Sequence, residues 1–187
     1  MIKNPPCAHT IKHLIPTEEI NERIRYMADD ISRVFPSDLM IVPLLRGSFV
    51  FAADLIRALH RVAGYSVLPQ IDFMTLSSYG GSTTSSGNVD IVRDIAESVE
   101  GRDVLIIDDI LESGRTLSFA RELISNRGAR SIRIAVLLEK PGKRKINIEA
   151  DFVGFVIPDK FVIGYGLDYD NYYRELPFIG TLPEIPE

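Results

Sequence analysis

The sequence predicts an α/β fold with a central, mostly parallel sheet flanked by helices. Apolar runs rich in branched residues lie at 39–45, 104–107 and 131–138, and none alternates inside and outside. That is the pattern of strands covered on both faces, as in a parallel sheet. Before and between them, at 17–35 and 117–126, apolar residues recur at helical spacing. Polar or glycine-bearing residues follow each run, and ligands of open α/β sheets bind in the crevice beyond the carboxyl ends of the strands.

With 187 residues the chain suits one domain spanning 1–187 and holding a real core. Hydrophobic content of 45% and charged content of 25% are ordinary for a globular protein. A net charge of −5 argues against nonspecific nucleic-acid binding. No apolar run reaches the roughly 18 residues of a membrane span, and the first dozen residues lack a secretory signal's apolar centre. Cys7 is the only cysteine, so no intrachain disulfide is possible. This fits a reducing compartment, and a cytoplasmic location is expected, with neither nucleic acid nor membrane as partner.

Residues 1–16 read as an extended arm, because Pro5 and Pro6 oppose a helix and Pro16 precedes an expected cap at Thr17. His9 and His13 lie there, weak evidence for a metal. Ile20, Ile24, Met27, Ala28, Ile31 and Val34 give the first helix its apolar face, and Pro36 stops it. The strand at 39–45 delivers Arg46, Gly47 and Ser48 to a helix at 49–61. A basic residue and a glycine before a helix make a candidate anion site, although plain turn chemistry also explains the glycine. A strand is expected at 67–76, then a structureless stretch at 77–88 (SSYGGSTTSSGN), then a returning strand at 89–93. Tyr79 among small polar residues suits a lid with glycine hinges, and the alternative is a mere hairpin tip.

Val104, Leu105, Ile106 and Ile107 form the central strand, followed by a polar loop from Asp108 and a helix ending near Asn126, with Gly128 as its stop. Asp108 and Asp109 are acceptors suited to sugar hydroxyls or a hard cation such as Mg²⁺. Ser113, Gly114, Arg115 and Thr116 bring free N–H groups, hydroxyls and a positive charge to a helix start, where a phosphate can sit. The plain alternative is that the aspartates end a strand and Ser113 or Thr116 caps a helix. Lys140 closes the strand at 131–138, where a lysine is either a site residue or an ordinary surface one. Lys143, Arg144 and Lys145 read as a solvated turn.

Taken together, the strand, the two acids, two apolar residues and the Glu112-Ser113-Gly114-Arg115-Thr116 loop resemble the phosphoribosyl-diphosphate signature of type I phosphoribosyltransferases. No Walker-type G-x-x-x-x-G-K-S/T competes with it. LLRGSFVFAADLIRAL, DFMTLSSYG and the segment at 151–182 are similar to purine-specific members, the hypoxanthine-guanine phosphoribosyltransferases. The resemblance covers nearly the whole chain from about residue 10 and implies the fold of that family. It includes a base-binding hood from about 151–187 plus the N-terminal arm, and a lid at 77–88.

The resemblance also implies roles. Leu111, Glu112, Ser113, Gly114, Arg115 and Thr116 would cradle the 5′-phosphate; Arg46, Gly47 and Arg174 would face the diphosphate, with Leu45–Arg46 as a cis peptide. Asp108, Asp109 and Asp168 would hold ribose hydroxyls or Mg²⁺. Ser78 and Tyr79 would close over the diphosphate. Phe161 would stack on the purine, the backbone of Val162 would read its edge, Asp168 would stand beside it, and Lys140 would donate to a 6-oxo group. Glu112 would exchange a proton with the base, although the family usually carries Asp there; Asp108 stands where many relatives have Glu. The partners implied are phosphoribosyl diphosphate and a 6-oxopurine, and copies of the chain itself as dimer or tetramer. A non-enzymatic regulator binding phosphoribosyl diphosphate and nucleic acid is the different class to exclude, and a xanthine-preferring enzyme the nearer one.

Overall fold

The computed structural model describes residues 11–35, 38–78 and 89–182. In chain order these form β1 (Lys12–Ile15), α1 (Thr17–Val34), β2 (Asp38–Leu45), α2 (Phe49–Ala63), β3 (Leu68–Ile71), β4 (Met74–Ser78) and β5 (Val89–Arg93). There follow β6 (Asp103–Leu111), α3 (Arg115–Asn126), β7 (Ser131–Glu139), β8 (Phe152–Val156), β9 (Val162–Ile163) and β10 (Ile179–Thr181). The main sheet runs β5-β4-β2-β6-β7-β8, with β3 beside the first half of β2. Only β5 is antiparallel to its neighbour. The α/β, mostly parallel expectation is met.

The unalternating strands have the cause the sequence suggested, a core on each face. Leu39 and Ile41 of β2 and Leu105 and Ile107 of β6 point toward α1 and α2. Met40, Val42, Val104 and Ile106 point toward α3. Ile20, Ile24, Met27, Ala28 and Ile31 are the buried face of α1. Burying each such side chain contributes about 1.5–3 kcal/mol, which is what holds these helices in place. Beside the main sheet, β1, β10 and β9 make a small antiparallel sheet joining the two ends of the described chain.

Several local expectations are corrected. Thr17 does not cap α1: its Oγ1 donates to the Pro177 carbonyl at 2.9 Å and ties the helix to the C-terminal segment. The strand expected at 67–76 is broken at Asp72, which turns inward. Its carboxylate accepts from the backbone N–H groups of Phe73, Ala96 and Glu97 at 2.7, 2.5 and 3.1 Å. The stretch expected to be structureless from 77 begins instead within β4, which carries Ser77 and Ser78. Tyr79 and the rest of the expected lid, 79–88, lie outside the described residues.

The largest correction concerns the central strand. It does not give way to a loop at Asp108, since β6 continues to Leu111 in register with β7, Leu111 opposite Glu139. The neighbouring strand supplies the ladder that two adjacent aspartates would not encourage by propensity. The aspartates are therefore strand residues.

Candidate active site at the carboxyl ends of the strands

β2, β6 and β7 end side by side, and the residues just beyond them form the candidate site. On one side, β2 passes through a cis Leu45–Arg46 peptide into the turn that starts α2. Ser48, wholly buried, donates its hydroxyl to the Leu44 carbonyl at 2.5 Å and so fixes that turn. Arg46 is exposed. At Gly47 a Cβ would fall onto the Asp109 carboxylate and have to push it aside.

Gly166 closes the same wall, because a Cβ there would strike the Gly47 carbonyl. Arg174 donates to the Gly166 carbonyl at 2.6 Å and pairs with Asp168 at 2.7 Å. Asp168 also accepts from the Asn171 N–H at 2.7 Å. The structure thus brings Gly47, Asp109, Asp168 and Arg174 together, with Gly166, which the sequence reading did not single out. Its signal was the Gly164-Tyr165-Gly166 spacing, unremarkable until the strand ends are assembled.

Asp108 and Asp109 lie at the floor. Burial pushes the Asp108 carboxyl well above the usual aspartate range, and the adjacent Asp109 charge pushes it further. Burial also raises Asp109, partly opposed by the backbone N–H of Ile110 and by the Arg174 charge. Two buried acids that resist charging are stabilised in their anionic form by any incoming cation. Their oxygens suit a hard ion that takes only one or two protein carboxylates and completes its shell from substrate oxygens. No larger cluster of His, Cys, Asp and Glu suited to a metal occurs among the described residues.

On the other side, β6 ends in the loop of Glu112, Ser113 and Gly114. Gly114 adopts φ +82°, and a Cβ there would stand 2.7 Å from the Ile148 side chain, so glycine is required twice over. The first N–H groups of α3 follow at Arg115, Thr116 and Leu117, and the N-cap residue, Gly114, has no side chain to cap them. Ser113 Oγ reaches the Arg115 N–H at 3.4 Å, a long contact, and the helix start is otherwise open toward the loop. Glu112 Oε2 lies 3.1 Å from Lys140 Nζ. The lysine side chain is 8% exposed and the glutamate 44%, so the pair has a buried cationic end and an open anionic one.

Lys140 is held by its own N–H, which donates to the Leu111 carbonyl at 3.0 Å. Phe161 lies beyond β8 with its ring 55% exposed, edge-on to Tyr169 at 5.9 Å between centroids. Val162 is different: its side chain is core, and its backbone faces Thr181 across the β9–β10 pair. Lys143 pairs with Asp159 at 2.7 Å and ties the Lys140 turn to the segment carrying Phe161. Arg144 is not solvated as expected; it is partly buried between Glu139 and the Glu112 carbonyl. His13 stacks on Phe178 at 3.6 Å, a packing role.

A family model described as the phosphoribosyl transferase domain matches residues 15–170. The chain belongs to the phosphoribosyltransferase family. Within it, the chain is similar to the hypoxanthine phosphoribosyltransferase of Escherichia coli strain K12, at 45% identity over 93% of this chain and 96% of that one. It is 47% identical to the hypoxanthine-guanine phosphoribosyltransferase of Bacillus subtilis strain 168, over 91% and 92%. A crystal structure of a Staphylococcus aureus hypoxanthine phosphoribosyltransferase superposes with a TM-score of 0.87 at 42% identity, covering 96% of each chain. The fold is therefore the phosphoribosyltransferase fold. No helix among the described residues is long and apolar enough to cross a membrane.

Proposed function

We propose that this phosphoribosyltransferase moves 5-phosphoribose from phosphoribosyl diphosphate to N9 of hypoxanthine and guanine, giving the nucleotide and diphosphate. The observation that carries the base assignment is the Glu112–Lys140 pair at the strand ends, between the acidic floor and the phosphate loop. An ammonium can only donate, so Lys140 favours a 6-oxo group over the 6-amino group of adenine. One of its N–H bonds is given to Glu112, and others remain for the base.

The 5′-phosphate rests on the N–H groups of residues 111–116 at the start of α3, where the open helix end favours an anion. Gly47, Arg46 and Arg174 receive the diphosphate, and Asp108, Asp109 and Asp168 orient the ribose hydroxyls. One or two of these carboxylates would hold Mg²⁺, which when bound supplies positive charge for the departing diphosphate. As the bond from C1 loosens, the ribose acquires oxocarbenium character, and Glu112 exchanges a proton with the purine ring. Phe161 offers its exposed face to the base, while Ser78 and Tyr79 belong to a lid that limits hydrolysis of the activated ribose. Copies of the chain assemble as dimers or tetramers, which sedimentation of the purified protein measures, and the enzyme works in the cytoplasm.

The deciding experiment offers hypoxanthine, guanine, xanthine and adenine separately, with phosphoribosyl diphosphate and Mg²⁺. Turnover of hypoxanthine and guanine with little of adenine is the expected result. Preference for xanthine would change the substrate, and binding of phosphoribosyl diphosphate without any turnover would favour a regulator.

A further inference from the structure

We infer that Arg144 is a positioning residue for Glu112, acting through the backbone of the phosphate loop; this rests on the purine reading above. β6 and β7 end in register, Leu111 opposite Glu139. Arg144 returns across both ends: Nη1 donates to the Glu112 carbonyl at 3.2 Å, and Nη2 pairs closely with Glu139. The Arg144 and Glu139 side chains are only 18% and 21% exposed, so water screens this pair less than a surface one. The next two residues continue the grip. The N–H groups of Lys145 and Ile146 both donate to the Ser113 carbonyl, at 2.9 and 3.1 Å.

Two successive carbonyls of the loop, those of Glu112 and Ser113, are thus held from one segment. A held Glu112 carbonyl fixes the plane of the peptide that follows it, and with it the direction in which the Glu112 side chain leaves the backbone. That matters because the Glu112 carboxylate is partly open to solvent and is anchored by the Lys140 ammonium. Glu139 has a complementary part. By neutralising the guanidinium it keeps Arg144 from competing with Lys140 for the Glu112 carboxylate. The close stem of Arg144, 3.4 Å from where a Gly114 Cβ would stand, adds to the fit of the loop.

The test compares wild-type chain with Arg144→Met, Arg144→Lys, Glu139→Gln and the Arg144→Met/Glu139→Gln double variant. Steady-state nucleotide formation from phosphoribosyl diphosphate and hypoxanthine is measured with Mg²⁺, beside thermal unfolding. Arg144→Met should lower kcat about 10- to 100-fold while KM for phosphoribosyl diphosphate stays within about twofold, as expected when a group is misplaced by about 1 Å. Arg144→Lys should recover part of kcat, and Glu139→Gln should add little to Arg144→Met because the two act as a unit. The inference is overturned if Arg144→Met keeps wild-type kcat. It is also overturned if kcat and stability fall and both KM values rise together with no recovery in Arg144→Lys, which would mark plain structural support. A wild-type chain inactive on every 6-oxopurine would sink the purine reading, and this inference with it.

Discussion

The wall made by Gly47, Asp109, Gly166 and Arg174 and the side made by Glu112, Lys140 and Phe161 stand on the same row of strand ends, yet they are built differently. In the first, close packing leaves little freedom: a Cβ at Gly166 would strike the Gly47 carbonyl, and one at Gly47 would have to push the Asp109 carboxylate aside. Its charges are at most partly exposed, Asp108 being buried, and burial raises the carboxyls of Asp108 and Asp109. In the second, the contacts run through long side chains, and the working ends of Glu112 and Phe161 face solvent. On the proposed reading, the wall that would meet the highly charged diphosphate gains from being preorganised in a low-dielectric floor, since charged interactions are stronger there. A surface that admits a flat base can remain open and be completed by the base itself. The rigid wall is intolerant of added atoms; the open side is sensitive to lost chemistry.

The strongest way to break this contrast is Glu112→Gln. The amide keeps size and an acceptor for Lys140 but cannot exchange a proton, so kcat should fall by about 10²-fold or more, with KM for the base little changed. Full activity across pH in that variant would remove Glu112 from acid–base chemistry. Next is Gly47→Ala, whose methyl group must displace the Asp109 carboxylate; kcat/KM for phosphoribosyl diphosphate should fall on the order of 10²-fold. An alanine tolerated there would show the wall to be softer than its packing implies.

Smaller effects sharpen the open side. Phe161→Ala removes an exposed aromatic face, and loss of stacking at about 0.5–1.5 kcal/mol should raise KM for hypoxanthine about 2- to 10-fold with kcat retained. Asp72 provides a control far from turnover. Burial alone would raise its carboxyl, but the N–H groups of Glu97, Phe73 and Ala96 outweigh burial and hold it below the ordinary range. Asp72→Asn should therefore leave kcat unchanged and reduce stability by about 1–3 kcal/mol near neutral pH. Because the native carboxyl titrates below the unfolded one, this contribution is complete above the unfolded value and disappears as pH falls through the native one. Denaturant unfolding at descending pH should show wild type and variant converging in acid; a gap that persists there would assign the loss to packing.

From residue types and spacing alone came the succession of the main strands and helices, the parallel sheet and the polar chemistry placed at the strand ends. Apolar runs at 39–45 and 134–138 report burial on both faces, and the acids, the glycine and the hydroxyls after 107 report their chemistry by type. These are local signals, carried by residues close along the chain. The extent of β6 was not such a signal, because Asp108 and Asp109 remain in a strand only when β7 lies alongside. Nor was the break at Asp72, whose carboxylate needs N–H groups from 96 and 97. Arg144 looked like one of three solvated charges until the ends of β6 and β7 gave it Glu139 and a carbonyl to hold. Gly47 meets Asp109, and Glu112 meets Lys140, across distances along the chain that no periodicity spans. Only packing the sheet decides those pairs, since each contact depends on which strand ends lie side by side.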